Sequence, residues 1–384
     1  MKFMILGAGM QGRACAFDML RNPEVTEILL ADSQASTLSR AKAWLKSPKV
    51  KTARADAGDP ARVSQLARGR DALVSAVPYF FNLPLAKAAL AAKTSFIDLG
   101  GNTDIVRKEL DLHEKAKKAG VCILPDNGLG PGMISTIAVH GMEQLDETDE
   151  VLIRDGGLPL QPVAPMNYML TFSEHGLINE YVENATALRD GKRVEVPGLS
   201  EVEVMDLPEP LGRCEAAHAA GGLSTMAWTY EGKVRTMDNK LIRYPGHIAV
   251  INAMRAMGFF DQKARAFGDR KLSPREMSAR LFRETFDRPG DKDLVVIHVT
   301  VRGRKNGKRA EIVYFMRDTY DEEHGMTAMM RTTGFPVSIV AQMAASRLIP
   351  PGAYPVETGV PAQAFLEAAR RRGFDLNWKL RFLD

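Results

Sequence analysis

The first twelve residues constrain the fold of this chain more than any other stretch. A short apolar run, residues 2–6, is followed directly by Gly7-Ala8-Gly9-Met10-Gln11-Gly12. In this G-x-G-x-x-G spacing the first glycine makes a tight turn, the second admits a pyrophosphate and the third lets a helix pack on the strand. Free N–H groups at the start of that helix would hold the phosphates. The predicted dinucleotide contacts in this turn are Gly7, Gly9, Met10, Gln11 and Gly12.

A second apolar run, residues 27–32, ends in Asp32, twenty residues after Gly12. A carboxylate at this place accepts hydrogen bonds from the ribose hydroxyls of NAD and repels the 2′-phosphate of NADP. Glycines alone are a weak signal, but strand, glycine turn, helix, second strand and terminal acid occur here in the required order. We therefore predict that the chain binds NAD and that Asp32 sets this preference.

Strand-like and helix-like segments alternate over about the first 145 residues. Right-handed crossovers between such strands give a parallel sheet with helices on both faces. Beyond that point strand-like runs neighbour one another, among them residues 226–230 and a hairpin of residues 293–302 against 309–318, before helical patterns return near the end. The predicted fold is α/β: a Rossmann doubly wound parallel sheet (1–125 plus 336–384) with a second α+β domain on an open mixed sheet (126–335). We expect the second domain to bind substrate and to mediate oligomerisation.

The composition is that of an ordinary globular protein, with 45% hydrophobic and 26% charged residues. A net charge of +4 is too small to indicate nucleic acid or a membrane surface as partner. No secretory leader pattern and no bilayer-length apolar run occur, so we expect a cytoplasmic protein. Three cysteines without C-x-x-C spacing predict no disulfide framework, and we expect Cys15 and Cys122 to be buried thiols. Seven histidines without paired spacing predict no metal site.

Polar residues follow several of the predicted parallel strands. Ligands bind beyond the carboxyl ends of such strands, so these residues are candidates for a shared site. An isolated aspartate after a strand is commonly a turn or helix cap, and this alternative stays open for Asp98 and Asp126. The further predicted cofactor contacts at these ends are Asp56, Ser75, Val77, Pro78, Asp98 and Gly100.

The second domain supplies its own candidates. Arg243 lies in an otherwise apolar and aromatic stretch, residues 242–247. It either pairs with a carboxylate of the core or clamps a substrate carboxylate bidentately, and the residues alone leave both open. Ser224 is not in a nucleophile elbow because G-x-S-x-G is absent.

Four motifs resemble the saccharopine dehydrogenase-like superfamily, and within it they are most similar to lysine 6-dehydrogenases. They are DNGLGPGM (126–133), VPGLSE (196–201), GGLST (221–225) and IRYPGH (242–247). The resemblance runs in order from the first strand to His247. It implies a step of lysine degradation, in which the ε-amino group of L-lysine is oxidised with NAD. The product, 2-aminoadipate 6-semialdehyde, cyclises to piperideine-6-carboxylate, and ammonia is released.

This resemblance also implies roles for single residues. Asp126 is the first candidate for the acid/base group and His175 the second, because an imidazole titrates near neutral pH. Tyr79 is the third catalytic candidate, and it would lie with Asp126 beside the nicotinamide. Arg243 would clamp the substrate carboxylate, and the residues that would line the pocket are Thr225 and His218.

Alternatives to this function remain. One is a saccharopine or carboxynorspermidine-type dehydrogenase acting on a secondary amine, although Asp32 argues against the NADPH that saccharopine-forming reductases generally use. Another is a non-catalytic NAD-binding sensor. In every case we expect a homodimer or a higher homo-oligomer.

Overall fold

Strands and helices alternate along the first third of the chain in the computed structural model, which describes residues 1–288 and 290–383. In chain order, the strands are β1 (Lys2–Leu6), β2 (Glu27–Asp32), β3 (Val50–Arg54), β4 (Ala72–Ser75), β5 (Ser95–Asp98), β6 (Cys122–Leu124), β7 (Glu147–Pro159), β8 (Ala185–Arg189), β9 (Lys192–Val196), β10 (Glu203–Leu207), β11 (Gly212–His218), β12 (Thr236–Arg243), β13 (Arg265–Phe267), β14 (Arg270–Leu272), β15 (Asp293–Lys305), β16 (Lys308–Thr319), β17 (Gly352–Ala353) and β18 (Asn377–Phe382). The helices are α1 (Met10–Leu20), α2 (Ala35–Leu45), α3 (Pro60–Ala67), α4 (Asn82–Ala92), α5 (Thr103–Leu110), α6 (His113–Ala119), α7 (Met133–Glu143), α8 (Glu174–Val182), α9 (Met226–Thr229), α10 (His247–Ala256), α11 (Pro274–Phe286), α12 (Ala328–Ala345), α13 (Val356–Gly359) and α14 (Ala362–Arg370). A short 3-10 helix, Tyr79–Phe81, precedes α4.

The chain divides into two units by its internal contacts. The first unit contains Met1–Gln144, Ser224–Thr229 and Met330–Leu376. The second contains Leu145–Leu223, Tyr230–Met329 and Asn377–Asp384.

A seven-stranded sheet forms the centre of the first unit. Its strand order is β17-β6-β5-β4-β1-β2-β3, and every neighbouring pair is parallel. The order 3-2-1-4-5-6 of its first six strands is that of the Rossmann fold. Strand β1 is apolar throughout its buried part, as a strand covered on both faces must be. The predicted doubly wound sheet is thus confirmed.

The borders of the units differ from the predicted domain borders at 125/126 and 335/336. The first unit continues through α7, because this helix packs against α13 and α14. The last residues belong to the second unit, because β18 pairs with β16. Residues 226–230 were predicted as a strand, but they begin with the helix α9, which belongs to the first unit.

The second unit is built on a nine-stranded mixed sheet, as predicted. Its main order is β10-β11-β12-β7-β15-β16-β18; β12 and β7 are parallel, and the other described pairs are antiparallel. Helices α8, α10 and α11 cover one face, where their apolar side chains pack with Ala217 and Leu241. Neighbouring residues of the same strands, Ala216 and Ile242, join a separate apolar cluster on the other face.

The cysteines Cys15, Cys122 and Cys214 are buried free thiols, which confirms the expectation for the first two. No helix in residues 1–288 and 290–383 has the length and apolarity needed to span a bilayer.

Candidate functional site

The glycine turn between β1 and α1 has the geometry that a phosphate cradle needs. Gly7 has φ +103°, and a Cβ there would lie 2.4 Å from the carbonyl oxygen of Ala76. A Cβ on Gly12 would lie 1.8 Å from the carbonyl oxygen of Gly7, so the helix can approach the strand only without a side chain. A Cβ on Gly9 would meet nothing within 4 Å. The first and third glycines therefore serve packing, and the backbone at Gly9 is open to a ligand.

Asp32 is held in place above this turn at the end of β2. Its Oδ2 accepts a hydrogen bond from the N–H of Ala8 (2.8 Å), and its Oδ1 accepts one from the N–H of Gln34 (2.8 Å). Arg54, its neighbour on β3, donates from Nε to the carbonyl oxygen of Ser33 (3.0 Å). The open glycine turn and this fixed carboxylate fit a dinucleotide. The guanidinium of Arg54 would lie near the expected ribose.

The other predicted cofactor contacts lie in the loops after β3, β4 and β5. The hydroxyl of Ser75 donates to Oδ1 of Asn82 (2.8 Å), so that group is already used within the protein. Asp56 is exposed and accepts from the N–H of Gly58 (2.8 Å), which closes a turn. The remaining members of the predicted set in these loops are Val77, Pro78 and Gly100, and their contacts with a cofactor stay predictions.

Tyr79 follows β4 in the short 3-10 helix. A Cβ added to Gly101 would lie 3.1 Å from the Cβ of Tyr79, so the two loops after β4 and β5 pack closely. The structure thus places Tyr79 at the strand ends, as predicted. Its position beside the nicotinamide stays a prediction.

Three buried carboxyl groups meet after β5 and β6. Asp98, Glu109 and Asp126 are 0%, 0% and 3% exposed. Oδ1 of Asp98 accepts from the N–H of Gly100 (2.6 Å) and from that of Asp126 (3.1 Å). Asp98 is thus a turn cap, which is one of the alternatives that the sequence left open. The side chain of Asp126 accepts its described hydrogen bond from the hydroxyl of a serine and not from a backbone N–H, so it is not a cap.

Burial governs the protonation of this cluster. It raises the pKa of Asp126 to about 8, with a further contribution from the nearby Asp98. Burial and the nearby Asp98 and Asp126 hold the pKa of Glu109 well above its usual range. The ion pairs within residues 1–288 and 290–383 include none of the three, so no cation offsets the cost of ionising them. The cluster therefore retains protons at neutral pH, and Asp126 can exchange one near pH 8.

Residues 224–229 bring hydroxyl groups to this cluster. Ser224, at φ +43°, donates from its hydroxyl to Oδ2 of Asp126. Thr225 and Thr229 donate to the two carboxylate oxygens of Glu357, at 3.1 and 2.6 Å. Burial also raises the pKa of Glu357. The hydroxyl of Thr225, predicted to line the substrate pocket, is thus engaged with a buried acid.

Sequence reasoning missed Ser224, Glu109 and Glu357. Ser224 lies 98 positions from Asp126, and no local pattern signals such a contact. Glu109 stands in a charged helix where it resembles a solvent-facing residue. The Ser-Thr pair after two glycines in GGLST is the one signal that could have pointed to buried hydroxyl donors.

Arg243 is the central charged group of the second unit. Its Nε donates to the hydroxyl oxygen of Tyr181 (3.0 Å), and its Nη1 donates to the carbonyl oxygen of Ile242 (2.8 Å). The guanidinium carbon lies 5.1 Å from the ring centre of Tyr168 and 5.7 Å from that of Tyr181. This side chain is 3% exposed, yet within residues 1–288 and 290–383 it has no carboxylate partner within 4.0 Å. The described core therefore lacks the ion pair that the sequence left as one alternative.

A directed chain of hydrogen bonds fixes this guanidinium. The hydroxyl of Tyr181 lies 2.9 Å from Nε2 of His247, and Nδ1 of His247 lies 2.8 Å from the carbonyl oxygen of Met166. Burial and the nearby Arg243 lower the pKa of His247 to about 3, so the ring is neutral. Its Nδ1 then donates to the carbonyl and its Nε2 accepts from Tyr181. Tyr181 is left to accept from Arg243, and the arginine is held in one orientation.

The two histidine candidates lie elsewhere. His175 is half exposed in the first turn of α8, with Nε2 at 3.8 Å from Glu174 and 3.9 Å from Glu276. His218 is buried on β11, with Nε2 at 3.0 Å from Oε2 of Glu201. Its neighbour Ala217 packs on the helix-covered face of the sheet, so His218 points to the opposite face.

The placement of His218 corrects its predicted role in a pocket with Arg243. Arg243 is two residues from Leu241 on β12 and so lies on the helix-covered face. The sheet separates its side chain from that of His218. The role of His175 stays a prediction, now as an exposed imidazole beside two carboxylates.

The strand order, the glycine turn and Asp32 define a dinucleotide-binding protein of the Rossmann class. Residues 3–124 match the family model of the saccharopine dehydrogenase NADP binding domain, and residues 128–374 match that of the saccharopine dehydrogenase C-terminal domain. The chain belongs to the saccharopine dehydrogenase family. The superfamily resemblance inferred from the four motifs is thus confirmed, and the dinucleotide is of the nicotinamide type.

Individual relatives are distant. Saccharopine dehydrogenase [NADP(+), L-glutamate-forming] of Schizosaccharomyces pombe is 24% identical over 271 residues, which are 64% of this chain and 57% of that protein. Carboxyaminopropylagmatine dehydrogenase of Synechocystis is 29% identical over 150 residues, 37% of this chain and 38% of that protein. The matches therefore span about half or less of these curated relatives.

Solved structures share the fold over nearly the whole chain. Apo saccharopine dehydrogenase (L-Glu forming) from Saccharomyces cerevisiae has a TM-score of 0.80 at 17% identity and covers 99% of both chains. The homospermidine synthase from Legionella pneumophila, in complex with NAD, has a TM-score of 0.69 at 13% identity and covers 100% of this chain and 91% of its own. Both likenesses concern the fold.

Proposed function

We propose that this protein oxidises the ε-amino group of L-lysine with NAD. The neutral amine loses a hydride from its carbon and becomes a protonated imine. Water adds to that imine, and the products are 2-aminoadipate 6-semialdehyde and ammonium. The aldehyde then cyclises to piperideine-6-carboxylate. NAD, when bound, supplies the hydride acceptor.

The observation that carries this proposal is the buried pair of Asp126 and Ser224 in the dinucleotide-binding unit. An alkylammonium has a pKa near 10.4 and cannot release hydride, so the reaction needs a base. A carboxyl group whose pKa is about 8 takes up that proton far more readily than an ordinary aspartate does. The hydroxyl of Ser224 stabilises the ionised form of Asp126, because it donates a hydrogen bond to Oδ2.

Arg243 is the proposed ligand of the substrate carboxylate. It is buried, permanently charged and without a carboxylate partner within the described residues, and Tyr181 fixes its orientation. A guanidinium presents paired donors that match a carboxylate.

Two features bear on the cofactor and on the competing substrate class. Asp32 supports NAD as the cofactor, because its carboxylate would repel the 2′-phosphate of NADP. The relative from S. pombe carries NADP(+) and saccharopine in its name, which favours a secondary amine as the second candidate substrate.

The test follows absorbance of the reduced nicotinamide at alkaline pH, with NAD and NADP run in parallel. The panel contains L-lysine, L-ornithine, saccharopine and carboxynorspermidine, and ammonia is assayed in the same mixtures. We expect reduction of NAD with L-lysine and an equal amount of ammonia. Turnover of saccharopine or carboxynorspermidine without turnover of lysine would replace the proposal by the secondary-amine reaction. Nucleotide binding without any turnover would favour the non-catalytic sensor.

A further inference from the structure

Glu109 is an acid at a helix position that usually holds an apolar residue. Helix α5 turns Val106 and Glu109, which are three positions apart, into the interior of the first unit, while Arg107 and Lys108 are exposed. Glu109 is 0% exposed. An ionised carboxylate without a partner is costly in such a place. Glu109 must therefore either be neutral or accept hydrogen bonds that stabilise its charge.

No donor of that kind reaches Glu109. Oε1 and Oε2 of Glu109 and Oδ2 of Asp98 accept no hydrogen bond from an N–H or hydroxyl group in the described part of the chain. The two carboxyl groups nevertheless lie within hydrogen-bonding reach of each other. Two carboxyl oxygens can form a hydrogen bond only when one of them carries a proton. The arrangement therefore requires a proton between Glu109 and Asp98.

The backbone decides which of the two acids holds this proton. Oδ1 of Asp98 accepts from the N–H of Gly100 (2.6 Å) and from that of Asp126 (3.1 Å). Burial raises the pKa of both Asp98 and Glu109, but these N–H groups lower that of Asp98 because they stabilise its charge. Glu109 has no such support within residues 1–288 and 290–383. Asp98 is therefore the anion, and Glu109 is the neutral acid that donates to it.

The surroundings of this pair bring further acids and no cation. Burial, the charge of Asp98 and, more weakly, that of Glu357 on α13 raise the pKa of Asp126. Helix α4 packs against α5, but its lysine, Lys87, is exposed. The ion pairs among the described residues include neither Asp98 nor Glu109. The charge of Asp98 therefore acts on Asp126 without compensation from a neighbouring cation.

Asp98 also fixes the backbone of Asp126. Asp126 has φ +67°, in the left-handed region, and in this conformation its N–H donates to Oδ1 of Asp98. Gly100 has φ +76°, and a Cβ there would overlap Oδ1 of Asp126. The loop after β5 thus holds both the backbone and the side chain of the proposed base, and the carboxylate of Asp98 is the group that joins them.

We propose that Glu109 is a positioning residue that carries a proton on its carboxyl group and donates it in a hydrogen bond to Oδ2 of Asp98. This bond keeps the buried Asp98 ionised. The ionised Asp98 then holds the N–H of Asp126 and makes the carboxylate of Asp126 more basic through its charge. The inference rests on the proposed function in one respect, which is that Asp126 is the base for the substrate amine. The proton on Glu109 does not depend on that function.

Infrared spectroscopy tests the proton itself, because the C=O stretch of a carboxylic acid is separate from the bands of a carboxylate. Difference spectra between the full-length wild type and Glu109→Gln are recorded about one pH unit above the pKa of Asp126, where Asp126 is ionised. We expect the variant to lack one carboxylic acid band. Asp104→Asn, at an exposed position of α5, is the control and should lack a carboxylate band. Loss of a carboxylate band in Glu109→Gln would overturn the proposal.

A matched pair of substitutions tests the effect on Asp126. Neither Glu109→Gln nor Glu109→Met can titrate, but only the glutamine can donate a hydrogen bond to Oδ2 of Asp98. The measured quantity is the midpoint of the rising limb of kcat/KM against pH. We expect Glu109→Gln to stay within about 0.3 pH unit of the wild type and Glu109→Met to lower the midpoint by about one pH unit. Without a donor, Asp98 retains its proton and no longer repels a charge on Asp126. Equal midpoints in the two variants would contradict the role of Glu109 as a donor.

The neutral Glu109 and the lysine reaction can fail separately. Loss of the acid band in Glu109→Gln, in a protein that does not turn over L-lysine, would support the neutral acid and refute the proposed reaction. Turnover of L-lysine by a protein in which the same variant loses a carboxylate band would do the reverse.

Discussion

The hydroxyl of Ser224 donates a hydrogen bond to Oδ2 of Asp126 across 98 positions of the chain. Both residues belong to the first unit, because Ser224–Thr229 return to it from the second. The bond lowers the pKa of Asp126, whereas burial and Asp98 raise it. The protonation of Asp126 therefore depends on a side chain that the strand-end motif does not contain.

Replacing Asp126 tests its role as a base. Asp126→Asn keeps the size of the side chain but cannot take up a proton, so we expect kcat with L-lysine to fall by about 10²- to 10⁴-fold. Affinity for NADH, followed by its fluorescence, should stay within about twofold. Asp104→Asn, at an exposed position of α5, is the control. Retention of more than a tenth of the wild-type kcat would assign the base elsewhere.

Replacing Ser224 tests how this base is tuned. Ser224→Ala removes a hydrogen bond that favours the ionised form of Asp126, so the pKa of Asp126 should rise above about 8. Activity requires the ionised form, and the rising limb of kcat/KM against pH should therefore move to higher pH. A full pH profile of both proteins measures the shift. A lower plateau with an unmoved limb would indicate loss of packing only.

The acid cluster should also make stability depend on pH. The folded-state pKa values of Asp126 and Glu109 are raised, so the folded protein binds more protons than the unfolded chain above about pH 4. The free energy of unfolding then falls as pH rises towards about 8, by up to about 1.4 kcal/mol per pH unit for each extra proton. Urea unfolding at several pH values measures this slope. Glu109→Gln should reduce it and Glu114→Gln, at an exposed site, should not.

Asp32 should set cofactor preference. Asp32→Asn keeps an acceptor for the N–H of Ala8 but removes the charge that repels a 2′-phosphate. We expect the ratio of kcat/KM for NAD to that for NADP to fall by at least about 10-fold, and Arg54 is available for the added phosphate. Steady-state kinetics with both cofactors measures the ratio. An unchanged ratio would mean that Asp32 does not contact the ribose.

Tyr181 should act by positioning Arg243. Tyr181→Phe keeps the ring but breaks the bonds to Nε of Arg243 and Nε2 of His247. We expect KM for L-lysine to rise by about 10-fold with little change in kcat, because the guanidinium of Arg243 loses the hydrogen bond that fixes its orientation. Tyr244→Phe is the control, since the hydroxyl of Tyr244 donates to the carbonyl oxygen of Pro159 in the same unit. Equal effects of the two variants would show a general loss of stability.

Local features of the sequence were enough to predict the fold and the nucleotide-binding turn of the first unit. The glycine spacing, the apolar strand before it and the acid after β2 all lie within the first 32 residues, and each has a steric or electrostatic reason. The alternation of strand-like and helix-like segments then predicted the parallel sheet. The function of Asp98 as a turn cap was among the alternatives, because an aspartate after a strand commonly binds nearby N–H groups.

The errors arose where distant segments decide the outcome. Residues 226–230 carry strand-forming Trp, Thr and Tyr, yet the hydroxyls of Thr225 and Thr229 bond to Glu357, and the segment folds as a helical turn. His218 and Arg243 both resembled pocket residues. Strand register places them on opposite faces, and register cannot be determined from a single sequence.

The three separate stretches that form the first unit have a consequence for inheritance. A recombination event that exchanged only Met1–Gln144 would leave Asp126 without Ser224 and the sheet without β17. A working nucleotide unit can pass to another gene only with all three stretches, which requires several coordinated crossovers. We therefore expect these three stretches to diverge together, and the acid that follows β6 to change together with a hydroxyl encoded almost three hundred nucleotides away.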